Sequence, residues 1–160
     1  MNNLVDIRGD DFVEVLPNWK ETIEAAFELN VQMFHKAIWD MSLTAFDKPR
    51  EVQVVIDGND NLFISVGTPG FVSFGGQNEQ THGMKFPLKE WIHTHPFGRA
   101  YFSSTDLTTV SMYERFLNSA TVLGDGEKSH LYFRVDGSIH YQEFSQFTWV
   151  DVEQIMEEEE

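Results

Sequence analysis

Between residues 18 and 40 the apolar side chains Ile23, Ala26, Phe27, Val31, Phe34 and Ile38 recur mostly at intervals of three and four, a stripe that can be buried only as one face of a helix. From Glu51 onward the pattern changes to short β-branched runs bounded by turn residues, which belongs to strands. Residues 51–56 and 62–66 read as a hairpin closed by Asp57-Gly58-Asn59-Asp60. Residues 89–95 form a strand stopped by Pro96, and a helix starting near Ser103-Ser104 runs on through Val110, Met112, Tyr113 and Phe116. Residues 120–123, 131–135 and 138–144 close the sheet, the last two runs joined at Asp136-Gly137. Weaker strand patterns lie at residues 12–16 and 70–74, followed by a polar, Gly-rich loop over residues 75–83. The order predicts an α+β domain with a mixed, largely antiparallel sheet flanked by helices.

At 160 residues the chain has the size of one domain, and 41% apolar residues supply enough surface for one core. Its organisation reads as an N-terminal extension over residues 1–16, a folded domain over 17–150 and an acidic tail over 151–160. The formal charge of −15 repels phosphate backbones and anionic lipid, which argues against nucleic acid or a membrane as partner. No signal-like or membrane-spanning run is present, so a cytoplasmic location is expected; the oligomeric state is not legible. Cysteine is absent, which removes disulfides, thiolate nucleophiles and thiolate metal ligands together. Any metal must be held by His, Asp or Glu.

One stretch satisfies that condition: Trp91-Ile92-His93-Thr94-His95-Pro96, then six residues, then Ser103-Ser104-Thr105-Asp106. Side chains two apart on a strand share a face, so His93 and His95 can offer two imidazoles to one ion. Asp106, in the first turn of the next helix, can add a carboxylate. Three N/O ligands with a fourth position open describe a catalytic zinc site, whereas a structural site would be closed by four. Such a site needs a general base, and no His-Glu-x-x-His helix supplies one here. A hydroxyl at Ser103 is well placed as an oxyanion donor. Ser103-x-x-Asp106 is equally a capping-box helix start, and the two roles do not exclude each other. His35 stands alone on its helix and His82 in its loop, so neither reads as a ligand.

The His93-x-His95-Pro96 and Ser103-x-x-Asp106 pattern resembles the JAMM motif of the MPN-plus metalloproteases, with Trp91-Ile92, Thr94 and Ala100-Tyr101-Phe102 similar to the deubiquitinating members. The resemblance implies an MPN, cytidine-deaminase-like fold, Zn²⁺ on His93, His95 and Asp106, and a glutamate base on an earlier strand seven residues before a glycine. Glu51, seven residues ahead of Gly58, matches that position, although Val52 to Asp57 stand where the family usually shows a Gly-Leu pair. Glu90 fails on parity, since positions 90, 92 and 94 face away from 93 and 95; Glu79 falls in the Gly-rich loop.

What the resemblance implies in function is a zinc-dependent metallopeptidase or isopeptidase. Its substrate would be a protein or peptide, with the amide after the C-terminal tail of a ubiquitin-like modifier as the expected bond and the tail adding a strand at a sheet edge. Peptidoglycan peptides or a sulfur-carrier protein are alternative substrates. A metal-free MPN scaffold is the non-enzymatic alternative, and retention of every ligand position weighs against it. The absence of cysteine and the short spacings resemble a minimal prokaryotic or viral member.

Overall fold

The computed structural model describes residues 4–8, 17–45, 48–66, 84–112, 116–133 and 139–146. Ten elements follow in chain order: β1 (Leu4–Arg8), α1 (Pro17–Leu29), α2 (Val31–Thr44), β2 (Val52–Ile56), β3 (Leu62–Val66), β4 (Glu90–Thr94), α3 (Ser104–Met112), β5 (Ser119–Gly124), β6 (Glu127–Phe133) and β7 (Ile139–Gln146). The strands form one sheet in the order β1-β3-β2-β4-β5-β6-β7. Only β1–β3 and β4–β5 run parallel; the other four pairings are antiparallel. The α+β class with a largely antiparallel sheet is therefore as the sequence pattern implies. None of the described helices is long and apolar enough to cross a membrane.

The helical stripe breaks where the sequence pattern runs straight through. Asn30 adopts an extended backbone (φ −166°, ψ 169°) and its side chain accepts the Met33 N–H at 2.8 Å, which ends α1 and caps α2. A side-chain amide that satisfies one of the orphan N–H groups of a new helix outcompetes continuation of the old one. Both helices still bury most of the stripe, Ile23 and Ala26 from α1 with Phe34 and Ile38 from α2, against Val54, Ile64 and Ile92 of the sheet; Val31, at the first position of α2, is exposed instead.

On the opposite face Val55, Trp91, Ala120 and Leu131 pack under Val110 of α3, so the central strands are buried on both sides. The β2–β3 turn is fastened from within by the Asp57 carboxylate, which accepts the N–H groups of Asn59 and Asn61 at 2.9 Å each and of Lys85 at 3.0 Å. Burial works to raise that carboxyl, but the three backbone N–H groups outweigh it and hold it below the usual range. Gly58 suits this position because a Cβ would stand only 3.0 Å from the carbonyl oxygens of Lys85 and Pro87, tighter than an ordinary contact.

Three further differences from the sequence pattern have local causes. Leu4–Arg8, expected as part of an extension, pairs in parallel with β3 as the sheet's edge strand. β6 starts at Glu127 rather than at residue 131, because Asp125-Gly126 makes a tight turn straight out of β5. Its buried positions Glu127 and Ser129 are polar, which hides the alternation. α3 is described only to Met112, short of Phe116. The expected strands at 12–16 and 70–74, the 75–83 loop with Glu79 and His82, the Asp136-Gly137 turn and the tail lie outside the described residues.

Candidate metal centre

β4 carries the first ligand by parity. Ile92 and Thr94 face α2, where the Thr94 hydroxyl meets Ser42 Oγ at 2.9 Å and accepts the Val52 N–H at 3.0 Å, while Trp91 and His93 face α3. His95 follows as the chain leaves the sheet, its N–H still bonded to the Leu123 carbonyl at 2.8 Å. The loop after it is drawn down onto β5 and β6. Glu127 accepts the Ala100 N–H at 2.8 Å and Arg99 Nε at 3.4 Å, and the Ser129 hydroxyl donates to the Ala100 carbonyl. Gly124 permits that approach, since a Cβ there would stand 2.6 Å from Ala100 N. Sequence reasoning missed this clamp; the Asp125-Gly126 turn just ahead of Glu127 was the available signal.

The loop delivers Ser103 and Asp106 to the histidines. Ser103 Oγ accepts the Asp106 N–H at 3.1 Å, and Asp106 Oδ2 accepts the Ser103 N–H at 2.9 Å, a reciprocal cap at the start of α3. The same Oδ2 lies 3.0 Å from His93 Nε2 and 3.3 Å from His95 Nε2. One ligand atom from each of His93, His95 and Asp106 falls within 4.8 Å of the others, and among the described residues this is the one such group.

A metal ion fits these atoms. His93 is fully buried; its Nδ1 has no hydrogen-bond partner among the described residues, and its Nε2 faces the Asp106 carboxylate. Leaving such a group without a partner is unfavourable by about 1–3 kcal/mol. Ligands at the ~2.0–2.1 Å of tetrahedral zinc stand about 3.3 Å apart, which is the spacing seen between Oδ2 and the two imidazoles. Burial tends to raise the Asp106 carboxyl, but the two imidazoles and the Ser103 N–H overcome it and keep the group ionised. Burial holds the His93 imidazole below its ordinary value against the pull of Asp106. At His95 burial lowers, but Asp106, the Arg99 carbonyl and Glu51 raise it further.

Glu51 lies just ahead of β2, which pairs Gln53 with His93, so Glu51 shares the sheet face of the ligands and comes opposite His95. It is buried, and burial pushes its carboxyl up to about 7, with His95 pulling it down and Asp106 pushing it up. Glu90 faces the other side, its carboxylate 3.4 Å from the Thr121 hydroxyl, as strand parity requires. His35 is buried in α2 on that same far side, away from the ligand group.

Beside the cluster a cavity of about 680 Å³ runs between the 99–102 loop and β6–β7, walled by Phe102, Leu107, Leu131 and Phe144. Tyr101 packs edge-on to His95 at 5.1 Å and forms part of the same wall. β4 is flanked on both sides, by β2 and β5, so the free sheet edges among the described residues are at β1 and β7. The arrangement could hold a metal ion through two imidazoles and a carboxylate, with the buried Glu51 carboxyl near it. Compared with known proteins, the chain matches no protein-family model, no curated protein and no solved structure.

Proposed function

We propose that this chain is a zinc-dependent metallopeptidase of the JAMM type, on an MPN, cytidine-deaminase-like domain, that hydrolyses the amide bond after the C-terminal tail of a ubiquitin-like protein. The observation that carries the reading is the convergence of His93 Nε2 and His95 Nε2 on one oxygen of Asp106, with Glu51 buried beside them. Zinc, when bound, would polarise the scissile carbonyl and make the attacking water more acidic.

The protein's own groups supply the remainder. Glu51 takes the proton from the attacking water and delivers it to the amide nitrogen, so that the C–N bond breaks and the amine leaves neutral. Ser103 Oγ already accepts the Asp106 N–H, which leaves its hydroxyl proton free to donate to the oxyanion of the tetrahedral intermediate. Asp106 is held ionised by its cap while it serves as ligand. The apolar wall of Phe102, Leu107 and Phe144 borders the site and offers a lodging for the extended substrate segment.

Metal content and cleavage test the reading together. Purified chain resupplied with zinc is expected to hold about one ion by mass spectrometry, His93→Ala and Asp106→Ala to hold none, and the wild type to cleave at least one member of a panel of ubiquitin-like conjugates. Wild-type protein that stays free of metal after resupply would end the proposal; metal without cleavage would end the assignment of substrate.

A further inference from the structure

Histidines that ligate metal generally donate the ring N–H facing away from the ion to a carbonyl or carboxylate, which fixes the ring plane. His95 follows this rule, with Nδ1 3.1 Å from the Arg99 carbonyl oxygen. His93 does not, for its Nδ1 is buried and without a hydrogen-bond partner among the described residues. What it has is a stacked ring. The Trp91 indole lies at 4.5 Å between centroids and 16° between planes, and Phe102 stands edge-on at 6.3 Å.

The indole is in turn held. Trp91 Nε1 donates to Gln53 Oε1 at 2.9 Å, and Gln53 is fully buried on β2, directly across from His93 in the β2–β4 register. A glutamine side chain buried in a sheet centre is unfavourable to desolvate unless its hydrogen bond does something an apolar residue could not. Trp91 and His93 are two apart on one strand, so their rings lie alongside by parity. Turning the imidazole about its Cβ–Cγ bond would break this stacking.

We propose that Trp91 and Gln53 are a positioning pair for His93: the indole sets the imidazole plane in place of the missing outer hydrogen bond, and Gln53 sets the indole. The inference rests on the metal reading above. Neither residue touches the ion; both act through the ring they hold.

Zinc affinity by competition with a chromophoric chelator, and the visible absorption of the cobalt-loaded chain, read this without any turnover. Gln53→Met removes the acceptor at nearly constant volume, and Trp91→Leu removes the stacked ring. Each is expected to weaken zinc by about 10- to 100-fold, the usual effect of losing a group that orients a ligand, and to shift or broaden the cobalt bands. The double variant Trp91→Phe with Gln53→Met keeps an aromatic ring and removes the indole N–H together with its acceptor, so it is expected to return to within about threefold of wild type. Circular dichroism and unfolding in chelator check that each variant folds, and Gln53→Met carries the test if Trp91→Leu does not. Folded Gln53→Met or Trp91→Leu with wild-type zinc affinity and an unchanged cobalt spectrum would overturn the positioning role alone. A wild type without zinc affinity would overturn the metal reading and this inference with it.

Discussion

Glutamine in place of Glu90 is expected to stabilise the folded chain at pH 8 and to do so far less at pH 5. Glu90 opens β4 on the face turned toward α2, in a cavity of about 290 Å³ that it shares with His35, Thr121, Lys128, His130 and Glu143. Burial pushes its carboxyl from 4.5 up to about 7, against the Thr121 hydroxyl and the Lys128 charge, both of which pull it down. A carboxyl raised on folding binds its proton more tightly in the native state. Its contribution to stability is therefore whole below about pH 4.5 and is lost as the pH rises through 7. At about 1.4 kcal/mol per decade, burying the carboxyl costs roughly 3 kcal/mol at pH 8, where it is mostly ionised, and roughly 1 kcal/mol at pH 5, where the folded state holds it protonated while the unfolded chain has largely lost the proton. The amide introduced by Glu90→Gln carries no charge and still offers an oxygen to Thr121. The neighbouring His35 is held down to about 3 by burial, so it stays neutral across this window. Urea unfolding of wild type and Glu90→Gln at pH 5 and pH 8, in chelator and at one ionic strength, should show the variant gaining about 1–3 kcal/mol more at pH 8 than at pH 5, or several degrees in Tm. The same difference in stability at both pH values, or a variant that loses stability at pH 8, would refute the reasoning.

Two predictions bear on the candidate centre itself. Glu51→Gln is expected to keep fold and metal while hydrolysis falls by at least ~10²-fold, checked by metal content and turnover on one preparation; a fully active variant would remove Glu51 as base. Ser103→Ala separates two roles of one hydroxyl: loss of the cap costs about 1 kcal/mol in unfolding free energy, whereas loss of an oxyanion donor lowers kcat by ~10²-fold or more. A destabilised variant with full turnover per folded molecule would leave Ser103 as a cap only.

The parts of this molecule that are legible in the sequence are those in which a local rule acts alone. Strand parity places His93 and Glu90 on opposite faces, and the structure has them so; Glu51 is reached in the sequence only through the family resemblance. The cap at Ser103 and Asp106 is visible because its three-residue spacing is set by the first turn of a helix. What stays hidden depends on competition or on distance. Asn30 carries a capping side chain, but the apolar stripe continues past it, and only the extended backbone reveals which signal wins. β6 reads too short in the sequence because its buried positions are polar: Glu127 and Ser129 point inward to hold Ala100, and a hydrophobic alternation cannot register residues buried for their hydrogen bonds. The Trp91–Gln53 contact joins residues 38 positions apart, a separation at which no periodicity speaks.

The position of the candidate centre in the sheet follows from a change of direction. β4 runs antiparallel to β2 but parallel to β5, so the chain must cross over after Thr94, and α3 is the crossover. Sites in mixed and parallel sheets gather at the carboxyl ends of strands at such a switch, because the loops diverge there and leave room. Here the strand end supplies His93 and His95, and the first turn of the crossover helix supplies Asp106. The start of a helix is also where a carboxylate is most readily held ionised, by exposed N–H groups and the helix dipole. Asp106 uses the Ser103 N–H in this way, so a single oxygen can face two imidazoles as an anion without an arginine or lysine within the ligand group. The chain thus brings one carboxylate and two imidazoles together from one strand, one loop and one helical turn. That compactness explains why 14 consecutive residues, His93 through Asp106, contain the whole candidate group while Glu51 comes from β2's side of the sheet.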